Sequence, residues 1–529
     1  MRLLWLGLFL MSSFVQAQEK NSFKNSTTKT KNPHTNIVIS TLKQPNEPTI
    51  AVHSTQNNIL MAGSNISNLY ISEDAGETWK SKTLRSTYGV WGDPVIIPDT
   101  AGNFYFFHLS NPPGGNWIDR IVCQKTSDNG KTWTNGSYTG LNGKKAQDKH
   151  WAVVDPASNY LYVTWTQFDK YNSSAPEDKS SIQFSMSTDG ATTWSPAKKI
   201  NQQDGDCLDG DNTTEGAVPC IGPNGEVYVT WAGPLGLMFD RSLDGGKTWL
   251  EEDVKIDPMP SGWEYQVPGI YRCNGLPISA CDRTGGAYHG TIYLNWTDQR
   301  NGADDTDVWL AKSTDQGKTW TKPIRVNDDA PGNHQFFTWM TIDPTNGYLY
   351  FVFYDRRGLK GEMTNVYMAR STDGGATFVN FKVNDKPFSP NDEIFFGDYN
   401  NIVARGDLVR PIWTRLDGMQ LSVKTALVDV SAIPKTSTTE NTTVPTDSSL
   451  NDPAILYTSF KLPKAKKVSW TIYNRWGQKV KDVFKCEALE AGKHIRSVKY
   501  ADLNLSEGQY HYKVWHRKEV YQQRSFSIE

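Results

Sequence analysis

Residues that could carry out acid–base chemistry recur at two matching places along the chain. One group stands directly before apolar, strand-like runs and contains Glu47, Asp93, Asp148, His150, Glu215 and Tyr399. A second group follows strand-like runs and contains Arg300, Arg356 and Arg415. Paired carboxyl groups can supply a general acid and a general base, and arginines bind anions through planar, charge-assisted pairs. These residues can act together only if the elements that carry them bring their ends to one place.

An octapeptide with the frame Ser/Thr-x-Asp-x-Gly-x-Thr-Trp recurs six times and indicates what those elements are. Its aspartates lie 54 to 71 residues apart, so each copy marks one supersecondary unit. Aspartate accepts backbone hydrogen bonds in tight turns, glycine supplies positive φ, and the aromatic residue begins the next strand. Only the third copy lacks the glycine, with Ala191 in its place. The copies begin at Ser72, Thr126, Ser187, Ser242, Ser313 and Ser371.

The complete frame resembles that of the Asp-box, or BNR, repeat proteins, whose best-known members are sialidases. The resemblance implies a β-propeller in which the six repeat aspartates are structural and take no part in catalysis. Sialidases also carry an Arg-Ile-Pro motif ahead of the first repeat, whereas Glu47-Pro48 stands there in this chain. The carboxylate-binding arginine of that motif therefore has no counterpart.

Three strand-like runs precede each repeat copy and one follows it, which predicts six four-stranded units. A seventh unit without a repeat covers Asn400–Ala404, Leu408–Trp413 and Leu421–Leu427 and lacks a fourth strand. The N-terminal run Asn36–Leu42 is expected to fill that place, because closing the ring removes exposed sheet edges. The predicted fold is thus all-β, with a seven-bladed β-propeller over residues 36–430. The sialidases that the chain resembles have six blades, which makes a six-bladed ring the alternative.

In a propeller, the starts of the innermost strands and the loops after the second strands open on one face. Both groups of polar residues are then expected to surround the axis of the ring, where ligand sites are favoured. By resemblance to sialidases, which use a tyrosine beside an acid, Tyr399 is the expected nucleophile, Glu215 its base and Asp93 the acid. The expected substrate-binding residues are Glu47, Asp148, His150, Arg300, Arg356 and Arg415.

The leading functional hypothesis is a sialidase-like glycoside hydrolase that acts on a glycan or glycoprotein and holds an anionic sugar with the arginines. The first alternative is a propeller that binds a glycan or a protein at the same face without catalysis. A second is a polysaccharide lyase that uses His150 and Tyr399. No cofactor is expected. The aspartates between Asp204 and Asp211 could surround Ca²⁺, but a solvated acidic loop is the favoured interpretation.

The N-terminus indicates export. In residues 1–17 a basic residue precedes a short apolar run, and Val15-Gln16-Ala17 offers a signal-peptidase site. The mature protein is expected to be secreted or bound at the cell surface, and no membrane span is predicted. The 529 residues carry a formal net charge of −2, which argues against a nucleic-acid partner. Export permits disulfides, and up to two are expected, with Cys207–Cys220 and Cys273–Cys281 the nearest pairs in sequence.

The C-terminal part is separate in composition. Residues 431–450 are rich in Ser, Thr and Pro, as is typical of a linker, and strand-like runs return in 451–529. These runs predict a small antiparallel β-sandwich. Phe460-Lys461-Leu462-Pro463, Tyr473-Asn474 with Gly477-Gln478, and Gly508-Gln509-Tyr510 resemble a type IX secretion C-terminal sorting domain of Bacteroidota. The resemblance implies secretion machinery as a partner, and a carbohydrate-binding or adhesion module is the alternative.

Overall fold

The computed structural model describes residues 32–433, 455–462, 464–474, 478–517 and 519–528. The chain divides into two compact units, Met1–Thr436 and Ser437–Glu529. The predicted signal peptide, and the predicted linker beyond residue 433, lie outside the described residues. In the described ranges, no helix has both the length and the apolar character needed to cross a membrane.

Seven four-stranded antiparallel sheets make up the described part of the first unit. The N-terminal strand β1 (Thr35–Ser40) belongs to the last of them. Sheet 1 contains β2 (Thr49–Val52), β3 (Leu60–Ser64), β4 (Asn68–Ser72) and β5 (Lys80–Thr83). Sheet 2 contains β6 (Val95–Pro98), β7 (Phe104–Leu109), β8 (Ile121–Thr126) and β9 (Ser137–Thr139). Sheet 3 contains β10 (Ala146–Val154), β11 (Leu161–Phe168), β12 (Ser180–Ser187) and β13 (Lys198–Lys199).

Sheet 4 contains β14 (Glu215–Ile221), β15 (Val227–Gly233), β16 (Gly236–Ser242) and β17 (Val254–Asp257). A hairpin of β18 (Glu264–Tyr265) and β19 (Cys273–Asn274) follows. Sheet 5 contains β20 (Ile278–Cys281), β21 (Ile292–Asp298), β22 (Asp307–Ser313) and β23 (Ile324–Arg325). Sheet 6 contains β24 (Gln335–Ile342), β25 (Leu349–Asp355), β26 (Asn365–Ser371) and β27 (Val379–Lys382). Sheet 7 contains β28 (Asn401–Arg405), β29 (Leu408–Asp417), β30 (Gln420–Leu427) and β1.

The first strands of the seven sheets contact one another in a closed ring. Each of β2, β6, β10, β14, β20, β24 and β28 touches the next, and β28 returns to β2. The N-terminal strand pairs with β30 from Thr35 opposite Leu427 onward, which is the pairing that the sequence predicts. A tryptophan on the second strand of four sheets is buried between neighbouring sheets: Trp165, Trp231, Trp296 and Trp413.

The octapeptides form the turns between the third and fourth strands. In the first copy, Ser72 Oγ donates to Asp74 Oδ1 (2.8 Å), and Thr78 N donates to the same oxygen (2.9 Å). All six copies repeat the serine- or threonine-to-aspartate bond. The frame glycine has positive φ and lies against the preceding sheet, so that a Cβ on Gly246 would lie 2.4 Å from Phe184. Ala191 adopts the same left-handed conformation, with φ 62°.

The second unit is described separately. It contains β31 (Ile455–Leu462), β32 (Lys466–Asn474), β33 (Lys479–Leu489), β34 (Gly492–Lys499), one helical turn α1 (Tyr500–Leu503), β35 (Gly508–His516) and β36 (Glu519–Ile528). Strands β31 and β34 form one antiparallel pair, and the other four form a sheet in the order β33-β32-β35-β36. Its core includes Val468, Trp470 and Tyr512.

The disulfide expectation is wrong for this structure, in which all six cysteines are free. Cys207 packs in the core around Trp165, whereas Cys220 packs with Tyr228 and Phe239 in a different cluster. Cys273 and Cys281 also belong to separate clusters. Each pair is close in sequence, but β14 begins between Cys207 and Cys220, and sheet 5 begins between Cys273 and Cys281. The partners therefore pack in different clusters.

Candidate functional site

The starts of the innermost strands carry the candidate site, and their backbone has a shared irregularity. Glu47, Asp93, Lys149 and Phe337 have φ between 46° and 50°, in the left-handed region that side-chain-bearing residues rarely adopt. Pairing registers shift at the starts of β10, β14 and β24, so each of these strands begins with a bulge. Such strain is found at positions that the surrounding structure fixes, often at functional sites.

An ion-pair network connects five separate segments at this end of the ring. Lys149 Nζ donates to Asp398 Oδ2 at 2.6 Å and lies 3.8 Å from Asp93 Oδ2. Arg272 Nε donates to Asp398 Oδ1 (3.1 Å), and its Nη1 donates to Asp209 Oδ2 (2.8 Å). Burial alone would raise the pKa of Asp398, but Arg272 and Lys149 outweigh burial and hold that pKa below its usual range. Asp398 is therefore a buried, ionised carboxylate.

Burial favours the protonated form of other carboxyl groups in the cluster. Glu47 is 1% exposed, and burial, with the neighbouring charge of Asp93, raises its pKa well above the usual value. Glu215 is fully buried, and burial, with Asp209 and Asp148, raises its pKa in the same way. Asn65 Nδ2 donates to Glu47 Oε2. Neither carboxyl oxygen of Glu215 has a hydrogen-bond partner among the described residues.

Asp148 belongs to the same group of acids. Burial raises the pKa of its carboxyl to about 7. Its Oδ1 accepts a hydrogen bond from the backbone N–H of Lys149 (2.9 Å). The cluster thus contains carboxyl groups whose pKa values are shifted in opposite directions, the arrangement from which an acid and a base can be drawn.

Tyr399 lies beside this cluster with its ring against two tryptophans. Its centroid is 5.1 Å from that of Trp151 and 6.4 Å from that of Trp339. The hydroxyl has no hydrogen-bond partner among the described residues. Burial raises the pKa of this hydroxyl well above 10, and the charges of Asp93 and Glu47 raise it further. The phenol can lose its proton only to a base that takes it directly.

The three arginines predicted to bind a substrate carboxylate each have separate protein partners. Arg300 pairs with Asp298 and with Asp257, the latter at 2.8 Å. Arg356 donates to the Pro268 carbonyl (2.7 Å) and Thr364 Oγ1 (3.1 Å). Arg415 pairs with Asp417 (2.7 Å) and donates to the carbonyls of Lys386 and Pro387. In the described part of the chain they share no partner with one another or with Tyr399, so their expected convergence is not found.

His150 lies at the same strand start but is 1% exposed, beside Phe107. Burial lowers the pKa of its imidazole to about 4, so it is neutral at physiological pH. Because its side chain is almost fully buried, the structure gives no support to its predicted role in binding substrate.

Neither of the cations that reach the cluster was chosen from the sequence as a candidate site residue. Lys149 is adjacent to Asp148, but a lysine before a strand gave no reason to choose it. Arg272 lies on the segment 258–277 between sheets 4 and 5, which has no counterpart in the other repeats. The one available signal was the 71-residue spacing from Asp244 to Asp315, the longest of the series.

Segment 258–277 covers the cluster. Trp263 Nε1 donates to the Thr213 carbonyl (3.2 Å), and Asn274 Nδ2 donates to the Asp398 carbonyl (3.1 Å). The cavity beneath has a volume of about 30 Å³ and is lined by residues including Lys149, Trp151, Trp339, Asp398 and Tyr399. That volume holds one or two water molecules. A sugar ring can enter only if the covering segment moves.

The acidic loop considered for Ca²⁺ uses its carboxylates on protein partners. Asp206 Oδ1 accepts from Leu208 N and Thr213 Oγ1, and Asp209 accepts from Tyr171 and Arg272. Across the described ranges, no three His, Cys, Asp or Glu side chains are grouped so that they could hold a metal ion.

Comparison with known proteins gives fold-level similarities only. No protein-family profile matches the chain, and no curated protein sequence matches it. Among solved structures, the chain is similar to the Hadza microbial sialidase Hz136, with 12% identity, a TM-score of 0.41, and 72% and 75% of the two chains covered. It is similar to the α-L-arabinofuranosidase Arb93A of Fusarium graminearum with 13% identity, a TM-score of 0.42 and coverage of 76% and 99%.

A third similar structure is the α-L-arabinanase of Penicillium chrysogenum, with 15% identity, a TM-score of 0.38 and coverage of 66% and 99%. Sequence identities of 12–15% and TM-scores of 0.38–0.42 support no conclusion about the activity of this chain. The functional assignment has to come from the chain's own residues.

Proposed function

We propose that residues 36–430 form a seven-bladed β-propeller and that the acid cluster at the starts of its innermost strands is the active site of a glycoside hydrolase. The supporting observation is that Glu47, with a raised pKa, Asp398, with a lowered pKa, and the Tyr399 hydroxyl interact in one buried cluster. Glycoside hydrolysis needs a proton donor for the leaving oxygen and a second group on the anomeric carbon. This cluster contains both.

The contacts favour a different division of roles from the one predicted by sequence. Tyr399 remains the proposed nucleophile. Asp93 and Glu47 contribute most to the charge felt by its hydroxyl, so Asp93 is the proposed base and Glu47 the proposed acid. Tyr399 Oη would attack the anomeric carbon as its proton passes to Asp93, and Glu47 would protonate the departing oxygen. Water would then give a proton to Glu47 and attack the anomeric carbon, and the Tyr399 oxygen would leave and take its proton back from Asp93.

The charge of the cluster favours an uncharged sugar. A sialoside carboxylate needs a free cation, but Arg272 and Lys149 are already engaged by Asp398, Asp209 and Asp93. Placing another carboxylate beside these acids would cost free energy, because like charges repel strongly in a buried site. The proposed substrate is therefore a glycan without a carboxylate at the cleaved sugar.

Secretion and anchoring complete the proposal. The N-terminal signal and the C-terminal resemblance to a sorting domain support export and delivery to the cell surface or medium by the secretion machinery. The substrate would then be an extracellular glycan or glycoprotein.

The alternative function is a propeller that binds glycan or protein without catalysis. The observation that favours it is the volume of about 30 Å³, which excludes a sugar from the closed cluster. In that case the ion pairs would only hold the segments of the ring together, and ligands would bind at its outer rim.

A panel of fluorogenic aryl glycosides tests the proposal. Wild-type protein is expected to hydrolyse at least one neutral glycoside and to leave the sialoside intact. Retention on a glycan array with no released sugar would support the binding alternative. Hydrolysis of the sialoside alone would contradict the argument from charge.

A further inference from the structure

A second and larger cavity lies at the opposite ends of the innermost strands, and we call it the axial chamber. It has a volume of about 560 Å³ and is lined by residues including Val52, Pro98, Arg283, Ile342 and Arg405. A connected cavity of about 380 Å³ shares Arg283 and Ile342 and reaches Trp151 and Trp339. Small-molecule sites in proteins have volumes of this size. The two tryptophans separate the chamber from the acid cluster.

The walls of the axial chamber are apolar and rigid. Prolines at the ends of the first strands, or just beyond them, come from four different sheets: Pro98, Pro156, Pro223 and Pro344. Val52, Ile342 and Ala404 fill the space between them, and the indoles of Trp151 and Trp339 form the inner end. An apolar ring placed here would lose its contact with water on most sides, which is the main source of affinity in such pockets.

Two arginines and one serine that line the chamber have hydrogen-bond donors without partners among the described residues. Arg283 is exposed and makes no hydrogen bond or ion pair with any described residue, and Arg405 uses only Nη1, on the His53 carbonyl (3.0 Å). Ser54 Oγ is shielded from solvent and has no partner among the described residues. Arg283, the remaining N–H groups of Arg405 and the Ser54 hydroxyl thus offer donors to the chamber.

The two carboxylates that line the chamber are already satisfied by their own turns. Asp99 accepts from Asn103 N (2.8 Å) and from Tyr105 Oη (2.9 Å). Asp155 accepts from Ala157 N (3.1 Å) and Ser158 Oγ (2.6 Å). Their oxygens are thus occupied as turn acceptors, and Arg283 and Arg405 balance their two charges. The guanidinium of Arg283 can then form a planar pair with an anion.

We propose that the axial chamber is a second ligand site, which binds a small organic acid made of an apolar ring and a carboxylate. The ring lies between the prolines and points toward Trp151 and Trp339, and the carboxylate pairs with Arg283 and Arg405. The site is independent of the proposed hydrolase activity, since it is at the other end of the ring and shares no polar group with the acid cluster.

The test uses 1-naphthoate and its uncharged counterpart 1-naphthamide, titrated into the full-length protein by calorimetry. Naphthoate is expected to bind at one site per chain and at least tenfold more tightly than the amide, because the amide cannot form a charge-assisted pair. Arg283→Ala should weaken naphthoate about ten- to hundredfold and leave amide binding nearly unchanged. Arg85→Ala removes an exposed arginine outside the chamber and should change neither.

Thermal unfolding of each variant shows whether the fold is intact, and Arg283→Gln replaces Arg283→Ala if the latter melts early. Three results would overturn the proposal: no saturable naphthoate binding, equal affinity for the amide, or unchanged affinity in a folded Arg283 variant.

Discussion

Trp151 and Trp339 meet across the ring with their centroids 4.3 Å apart and their planes inclined at 47°. They come from sheets 3 and 6, which do not adjoin in the ring of first strands. Their contact closes the space around the axis and separates the acid cluster from the axial chamber. Tyr399 packs against both rings, so the position of the proposed nucleophile depends on this contact.

Removing one of these indoles should destabilise the ring. We expect Trp151→Ala to lower the free energy of unfolding by about 3 kcal/mol, because it leaves a cavity among buried rings. Chemical denaturation followed by fluorescence would measure the loss. Trp91→Ala is the control, since Trp91 is 41% exposed and its removal should cost far less. Equal effects of the two changes would contradict a structural role for the contact.

Arg272 is expected to hold the covering segment in place. Arg272→Ala should destabilise the first unit by about 3 kcal/mol, because it deprives the buried carboxylate of Asp398 of a partner. Urea unfolding measures this loss. Lys80→Ala breaks an exposed pair with Glu73 and should leave stability unchanged. Stability of Arg272→Ala equal to wild type would show that the network does not fix the segment.

The acid cluster should make stability depend on pH in a defined direction. Asp148 has a pKa raised to about 7 in the folded state, so between pH 4 and 7 unfolding releases its proton and stability falls as pH rises. Above pH 7 the full penalty of a buried charge is present. Asp148→Asn should therefore stabilise the protein at pH 8 by roughly 2 kcal/mol. Near pH 3, where both states mostly hold the proton, thermal unfolding should show almost no difference.

The octapeptide that lacks the frame glycine allows two opposite substitutions to be compared. Ala191→Gly should stabilise the protein by about 1 kcal/mol, since it relieves a left-handed alanine. Gly246→Ala, at the matching position of the next copy, should cost more than that gain, because its Cβ would meet Phe184 at 2.4 Å. Differential scanning calorimetry of the two variants measures both shifts. Stabilisation by Gly246→Ala would contradict the packing argument.

The strand pattern of the first unit could be predicted because local signals repeat. The octapeptides mark the turns between the third and fourth strands of the first six sheets. The unpartnered N-terminal run matches the missing strand of the last sheet. Position alone also predicted that Glu47, Asp93, Glu215 and Tyr399 lie near one another at strand starts, and their roles in catalysis remain proposals. The finer assignment of this unit as a seven-bladed propeller remains a proposal.

The partners of charged side chains could not be predicted from the sequence. Arg300 and Arg415 are each captured by an aspartate two residues away, and position after a strand does not show which way the guanidinium turns. Arg272 belongs to a segment without a repeat counterpart, so no periodic signal points to it. The predicted disulfides were wrong for a similar reason, because cysteines that are close in sequence pack in separate hydrophobic clusters.

The most direct test of the proposed active site is the rate of hydrolysis of the neutral glycoside that the wild-type protein cleaves fastest. Asp93→Asn and Tyr399→Phe are expected to reduce kcat by roughly 10²–10⁴-fold while both variants remain folded, because each removes a group that moves a proton or attacks carbon. Arg415→Lys, outside the cluster and without contact to the covering segment, should retain kcat within a few-fold. Undiminished kcat in folded Asp93→Asn and Tyr399→Phe would contradict the account.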